Sequence, residues 1–192
     1  GYGAWGIGGA PFWNSEGHTK SLDSIKKAYD LGINFFDTAP VYGFGHSEEL
    51  IGKAIKPVRD KVIIATKCGL RWDKEALGSI RKDASRNSIL EEIDQSLKRL
   101  DTDVIDLYQV HWPDVETEQK ETMETLMEIQ QKGKIRHIGV SNYSAEQIKE
   151  CLKYGAIVSL QPEFSLLARD IQKGTVSVCL ENDIGIIAYS SL

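Results

Sequence analysis

GYGAWG, residues 1–6, is a literal G-x-G-x-x-G, and the reading of those six residues decides between two α/β architectures. In an open, doubly wound sheet the pattern lies between a strand and a helix, with an acidic residue about 20 positions on. No strand is visible before Gly1. The residues that follow, IGGAPFWN (7–14), contain Pro11 and two more glycines, and an amphipathic helix does not start in such a stretch. Asp37, the acid that ends the next apolar run, lies too far on. The fingerprint therefore fails. Gly3–Gly8 reads instead as a first strand and its exit, with glycines leaving room at the mouth of the fold and Trp5 beside that mouth or the core.

Outward from there, short apolar runs recur along the chain: AWGIG (4–8), INFFDTA (33–39), KVIIATK (61–67), VIDLYQVH (104–111), HIGVSN (137–142), IVSLQP (157–162) and GIIAYSS (185–191). Helical patterns lie between them. SLDSIKKAYDLG (21–32) has Ser21 as N-cap and Gly32 as stop. SEELIGKAIK (47–56) has two glutamates in its first turn. SRNSILEEIDQSLKRL (85–100) puts Ile89, Ile93, Leu97 and Leu100 on one face. TMETLMEIQQKG (122–133) follows, then SAEQIKECLKYG (144–155), whose Ser144 and Gln147 make a capping box. A last, weaker helix is expected near 170–182. This alternation implies a parallel sheet, and seven runs in regular order favour a (β/α)8 TIM barrel. Such barrels take about 250 residues, so an eighth strand and its helix are expected outside these 192 residues. Residues 1–192 read as one incomplete barrel domain.

Composition narrows the function classes. The chain is 41% hydrophobic and 27% charged, with a net charge of −5, a balance unsuited to nucleic acid or an acidic membrane surface. No apolar run approaches the roughly 18 residues that span a bilayer. Cys68, Cys151 and Cys179 have neither disulfide nor zinc spacing and read as thiols of a reducing, cytoplasmic compartment.

The chemistry lies where the runs end. They finish in Asp37, Lys67, His111, Ser141 and Asn142, Gln161, and Tyr189 with Ser190 and Ser191. In a barrel these ends share the C-terminal face, where such enzymes do their chemistry. A lysine at the rim of an apolar core needs a carboxylate, and Asp37 is the natural partner. Tyr42 follows in TAPVYGFG (38–45), beside Gly43 and Gly45. A neighbouring cation should lower its pKa, so Asp37, Lys67 and Tyr42 form a proton-transfer unit, with His111 able to bond a substrate oxygen. Singly, each has a plain structural reading: a turn cap, a surface lysine, a packing tyrosine, a core histidine. Their shared face favours function.

FFDTAPVYG (35–43), VIIATKCG (62–69), DLYQVHWP (106–113), GKIRHIGVSNY (133–143) and GIIAYSSL (185–192) resemble, in order, the aldo-keto reductases. The resemblance implies a barrel that reduces small carbonyl substrates with NADP(H), or with NAD(H). It implies a catalytic set of Asp37, Tyr42, Lys67 and His111, in which Tyr42 gives the proton. Ser141, Asn142 and Gln161 would hold the carboxamide, Tyr189 would stack on the nicotinamide, and Ser190, Ser191 and Leu192 would begin the pyrophosphate segment. The family's basic 2′-phosphate segment is not among these residues, so the preference for NADP is inherited from the resemblance. Phe12, Trp13, Trp72 and Trp112 are expected to line the substrate pocket. Two other classes are weighed: a regulatory, cofactor-binding subunit of the same fold, and a metal-dependent hydrolase using Asp37 and His111. The second wants three or four clustered ligands, and the strand ends offer only one His and one Asp.

Overall fold

The computed structural model describes residues 1–9 and 18–191. Its centre is the strand Ile63–Cys68 (β3), whose last five residues are all buried, as expected of a parallel strand covered on both faces. Before it come Tyr2–Gly3 (β1) and Phe35–Asp37 (β2); after it come Ile105–Val110 (β6), Ile135–Ser141 (β7), Ser159–Gln161 (β8) and Gly185–Ile186 (β9). Between β3 and β6 a short antiparallel hairpin, Leu70–Arg71 (β4) with Arg81–Lys82 (β5), stands apart from the main sheet.

The main sheet has seven strands in the order β1-β2-β3-β6-β7-β8-β9, and every neighbouring pair is parallel. Among the described residues strand order follows chain order without reversal, so the sheet has no topological switch point there. That is the winding of a (β/α)8 barrel and not of a doubly wound sheet. The sheet is also rolled. Gln161 of β8 donates to Asp37 of β2 at 2.9 Å, although four strand spacings separate them, about 19 Å in a flat sheet.

The helices His18–Asp30 (α1), His46–Ile55 (α2), Arg86–Leu100 (α3), Gln119–Gln131 (α4), Ala145–Leu152 (α5) and Thr175–Glu181 (α6) fill the connections. Each buries one apolar face: Ile25 and Ala28 from α1, Leu50 and Ile51 from α2, Ile89 and Ile93 from α3, Met123, Leu126 and Ile129 from α4. The Ser144–Gln147 capping box is present. Three expectations need correction. AWGIG is not a strand: pairing ends at Gly3, and Trp5–Ile7 is a 3-10 turn. Ser21 is not an N-cap, since α1 already includes His18. The 170–182 helix is broken, with a 3-10 turn at Asp170–Gln172 before α6, because Gly174 at φ +115° interrupts it.

Two buried carboxylates fasten the hairpin's base. Glu92 of α3 accepts from the Gly69 N–H at 3.0 and 3.2 Å, and Ser88 donates to it at 3.0 Å. Asp114 accepts from the Ala84 N–H at 2.9 Å. Burial pushes the Glu92 carboxyl up to about 8, against the pull of its hydrogen bonds.

Two predictions follow from this packing. A Cβ on Gly52 would lie 2.4 Å from the Leu100 carbonyl oxygen, so α2 and α3 could not keep their separation. Gly52→Ala gains up to ~1 kcal/mol of helix propensity but should lose about 1–3 kcal/mol to overpacking. The urea midpoint should fall, and a midpoint at or above wild type would refute the contact. Glu92 holds its proton more tightly folded than unfolded, where its ordinary value is 4.5. As pH rises from about 5 to about 8, the unfolded state sheds that proton first, and stability falls. Glu92→Gln should flatten this part of the stability-against-pH curve; parallel curves for the two proteins would count against it.

Candidate active site

The strand ends converge as the parallel register requires. Lys67 is wholly buried, and its ammonium donates to Asp37 Oδ2 at 2.8 Å, to the Thr38 carbonyl at 2.8 Å and to the Tyr42 hydroxyl at 3.4 Å. An ammonium has three N–H groups, so all three are engaged. Because Lys67 donates to the Tyr42 oxygen, the tyrosine's own proton is directed away from Lys67. The His111 ring meets Tyr42 edge-on, with ring centroids 5.8 Å apart and planes at 82°.

Tyr42 is set by its loop. Thr38 and Ser47 exchange a hydrogen bond at 2.8 Å, and Ser47 donates to the Ala4 carbonyl at 3.0 Å. Gly43, at φ +64°, lies so close to Gly8 that a Cβ would stand 1.9 Å from the Gly8 carbonyl oxygen. The glycine-rich start of the chain therefore serves the tyrosine loop through Gly8, whereas a Cβ on Gly3 or Gly6 would meet nothing within 4 Å among the described residues.

The electrostatics separate the groups. Burial raises the Tyr42 phenol above its ordinary 10, and the opposing pull of Lys67 does not cancel it. The sequence reading expected the cation to win; burial wins, and the phenol stays protonated at neutral pH. Burial works against the Lys67 charge, but Asp37 and Tyr42 more than offset it and its pKa is raised. Burial, seconded by Lys67, drives the His111 imidazolium well below its ordinary 6.5. The site thus holds a charged lysine, a protonated phenol and a neutral imidazole.

A cavity of about 700 Å³ opens over Tyr42 and His111, and Asp37, Ser141, Asn142, Gln161, Tyr189, Ser190 and Ser191 also line it. Asn142, in the left-handed conformation at φ 63°, donates to the His111 carbonyl at 3.0 Å and accepts from the Tyr189 hydroxyl at 2.7 Å. Ser141 donates to the Gln161 carbonyl at 2.8 Å. The Gln161 amide is turned onto Asp37. Trp112 and Trp5 line the cavity. Trp72 does not: it packs on Phe44, with centroids 5.3 Å apart, and borders a separate, smaller pocket of about 240 Å³ with Arg71, Glu91 and Arg99. Trp13, Phe12 and Leu192 lie outside the described residues. Among the described residues no group of three or more His, Cys, Asp or Glu side chains could hold a metal ion.

Sequence reasoning missed Gln109, which donates to Asp37 Oδ1 at 3.3 Å. The signal was there: a lone amide in an apolar strand, two residues before His111 and so on the same face.

Comparison with known proteins identifies the family. The aldo/keto reductase family model matches residues 1–192. The aldo-keto reductase YhdN of Bacillus subtilis is 44% identical over all of this chain and 57% of its own length. The NADH-specific methylglyoxal reductase of Escherichia coli is 39% identical over all of this chain and 63% of its own. A solved aldo/keto reductase of Klebsiella pneumoniae, in complex with NADP and acetate, superposes with a TM-score of 0.83 at 26% identity, covering 98% of this chain and 62% of that one. The chain thus spans somewhat more than half the length of each. With the family model matched from end to end and the strand order of the barrel in place, the chain belongs to the aldo/keto reductase family.

Proposed function

We propose that this protein reduces aldehydes or ketones to alcohols with a nicotinamide cofactor, Tyr42 supplying the proton, and that residues 1–192 form a single, incomplete barrel domain. One observation carries the reading: a protonated Tyr42 hydroxyl, backed by an ammonium whose three N–H groups are engaged, faces a cavity that His111 also lines. The cavity wall fits the nicotinamide end of the cofactor, because beside a tyrosine ring it offers uncharged amides and hydroxyls, and the carboxylate that also lines it, Asp37, is paired with Lys67. Ser141, Asn142 and Gln161 would hold the carboxamide, and Tyr189 would lie against the ring. Ser190, Ser191 and Leu192 would lead toward the pyrophosphate. When bound, the cofactor supplies the hydride. The relatives include proteins described with NADP and as NADH-specific; we favour NADP(H) for this chain, with NAD(H) as the alternative.

The chain's own groups do the rest. Neutral His111 has an N–H to donate to the substrate carbonyl oxygen, which fixes the carbonyl beside Tyr42. As negative charge develops on that oxygen, Tyr42 gives up its proton. The phenolate left behind is stabilised by the Lys67 ammonium, which already donates to it, and Asp37 keeps that ammonium charged. Preorganised charge of this kind costs no reorganisation during the reaction. Trp112 and Trp5 give the mouth an aromatic rim, which suits apolar carbonyl compounds. Cys68, Cys151 and Cys179 are free thiols, in keeping with a cytoplasmic enzyme. Among the described residues no helix is long and apolar enough to cross a membrane.

The test is Tyr42→Phe. A lost general acid should lower turnover by at least about 100-fold, while the nicotinamide affinity, followed by fluorescence titration, stays within about twofold. Turnover near wild type would remove Tyr42 as the proton donor.

A further inference from the structure

Asp37 is held by more than its lysine. Oδ2 accepts from Lys67, while Oδ1 accepts from two amides, Gln161 at 2.9 Å and Gln109 at 3.3 Å. The two amides differ in access. Gln161 lines the cavity, so a bound molecule can compete for it. Gln109 is wholly buried and is not among the residues lining the cavity. Among the described residues its Oε1 has no hydrogen-bond partner, so its one polar contact is the donation to Asp37.

The surroundings are shaped for that contact. Gln109 lies directly across from Lys67 in the β3–β6 register and from Gly139 in the β6–β7 register. A Cβ on Gly139 would stand 2.3 Å from Ser159 Oγ and 3.0 Å from Gln109 Cγ, so glycine there leaves room for the serine first and for the glutamine as well. Burying an amide with an unsatisfied oxygen is costly, and a leucine would fill the strand position without that cost. The amide's orientation is also set. Reversed, it would present Oε1 to a carboxylate; only Nε2 toward Asp37 is favourable.

We infer that Gln109 is a positioning residue of the active site: a buried amide that keeps Asp37 Oδ1 engaged, and so keeps Oδ2 on Lys67, when a molecule in the cavity recruits Gln161. The inference rests on the reading of the site as a carbonyl reductase for its kinetic consequence, but not for the contact itself. A misplacement of a catalytic group by about 1 Å can cost about 100-fold in rate. Gln109→Leu should therefore lower kcat about tenfold or more, with KM and cofactor affinity unchanged within about twofold. Gln109→Glu, which sets a carboxylate against a carboxylate, should lower kcat further than Gln109→Leu.

Two measurements test this. In the ligand-free protein, the Gln109 side-chain amide proton should resonate downfield in NMR, as expected for donation to an anion, and move upfield in Asp37→Asn. This arm needs no turnover and no folded Gln109 variant. In the second arm, kcat and KM are measured separately for Gln109→Leu and for the isosteric Gln109→Met. An amide signal indifferent to Asp37→Asn would overturn the contact. Wild-type kcat in both variants, or a kcat loss matched by equal losses of cofactor affinity and thermal stability, would overturn the positioning role. Failure of the reductase reading would appear separately, as wild-type turnover in Tyr42→Phe with the amide signal still responding to Asp37→Asn.

Discussion

The Asp37 carboxylate is the point on which the rest of the structure turns. It receives Lys67 from β3, Gln109 from β6 and Gln161 from β8, so one side chain of β2 is tied to three other strands. A flat sheet could not allow it. The roll of the sheet and the Asp37 cluster are therefore two descriptions of one constraint: the strands curl until their C-terminal ends share a carboxylate. The pair at its centre is not explained by stability alone. A buried ion pair often contributes little against well-packed hydrophobic residues, whereas breaking one costs about 3–5 kcal/mol. What it gives here is place, a charged ammonium fixed where the fold would otherwise have oil.

A second layer fixes the tyrosine. The loop between β2 and α2 carries no regular structure of its own, yet it is pinned from several sides. Gly8 and Gly43 meet backbone to backbone. Thr38, Ser47 and Ala4 form a relay of hydrogen bonds. Buried Glu48 accepts from Thr66 at 2.7 Å and pairs with Arg99 at 2.6 Å, and the Arg99 side chain occupies the space a Cβ on Gly45 would need. Thr66 adjoins Lys67, so the tyrosine's loop and the lysine's strand are cross-linked one residue from the reacting groups. Rigid support at that distance suits the proton-donor role proposed for Tyr42, since small displacements carry large kinetic penalties.

Much of this was legible in the sequence. The parallel strands, their order and the polar residues at their ends follow from the alternation of apolar runs with capped helices, and Asp37 with Lys67 follows from the cost of an unpaired ammonium. What escaped has identifiable causes. AWGIG was misread because its apolar residues matched a strand while its glycines and the Ala4–Asp37 contact (2.8 Å) set up a tight turn. Trp72 was misplaced because an aromatic near the mouth can turn either way, and Phe44 drew it to the other side. The sign of the Tyr42 shift was missed because sequence shows which charges are near but not how much water is excluded. Gln109 was passed over although its place on the His111 face is readable from the strand alternation; what the sequence does not show is that the roll of the sheet brings it to the same Asp37 oxygen as Gln161.

The balance of charges in the site follows from the same geometry. A buried cation, Lys67, is paired with the partly exposed anion Asp37, and the two titratable groups beside them, Tyr42 and His111, are neutral. Burial disfavours the phenolate of Tyr42 and the imidazolium of His111 alike. Each is therefore in the form that donates a proton or a hydrogen bond, and neither is in the form that would compete for the Lys67 ammonium. Were Tyr42 an anion at rest, Lys67 would be shared between two negative oxygens and nothing would be gained when charge later developed on the tyrosine. In the proposed reaction, because the phenol starts neutral, the stabilisation by Lys67 would be largely unused until the proton leaves. An interaction stronger in the transition state than in the ground state is the kind that accelerates a reaction, and the desolvation that holds Tyr42 neutral is what creates that difference.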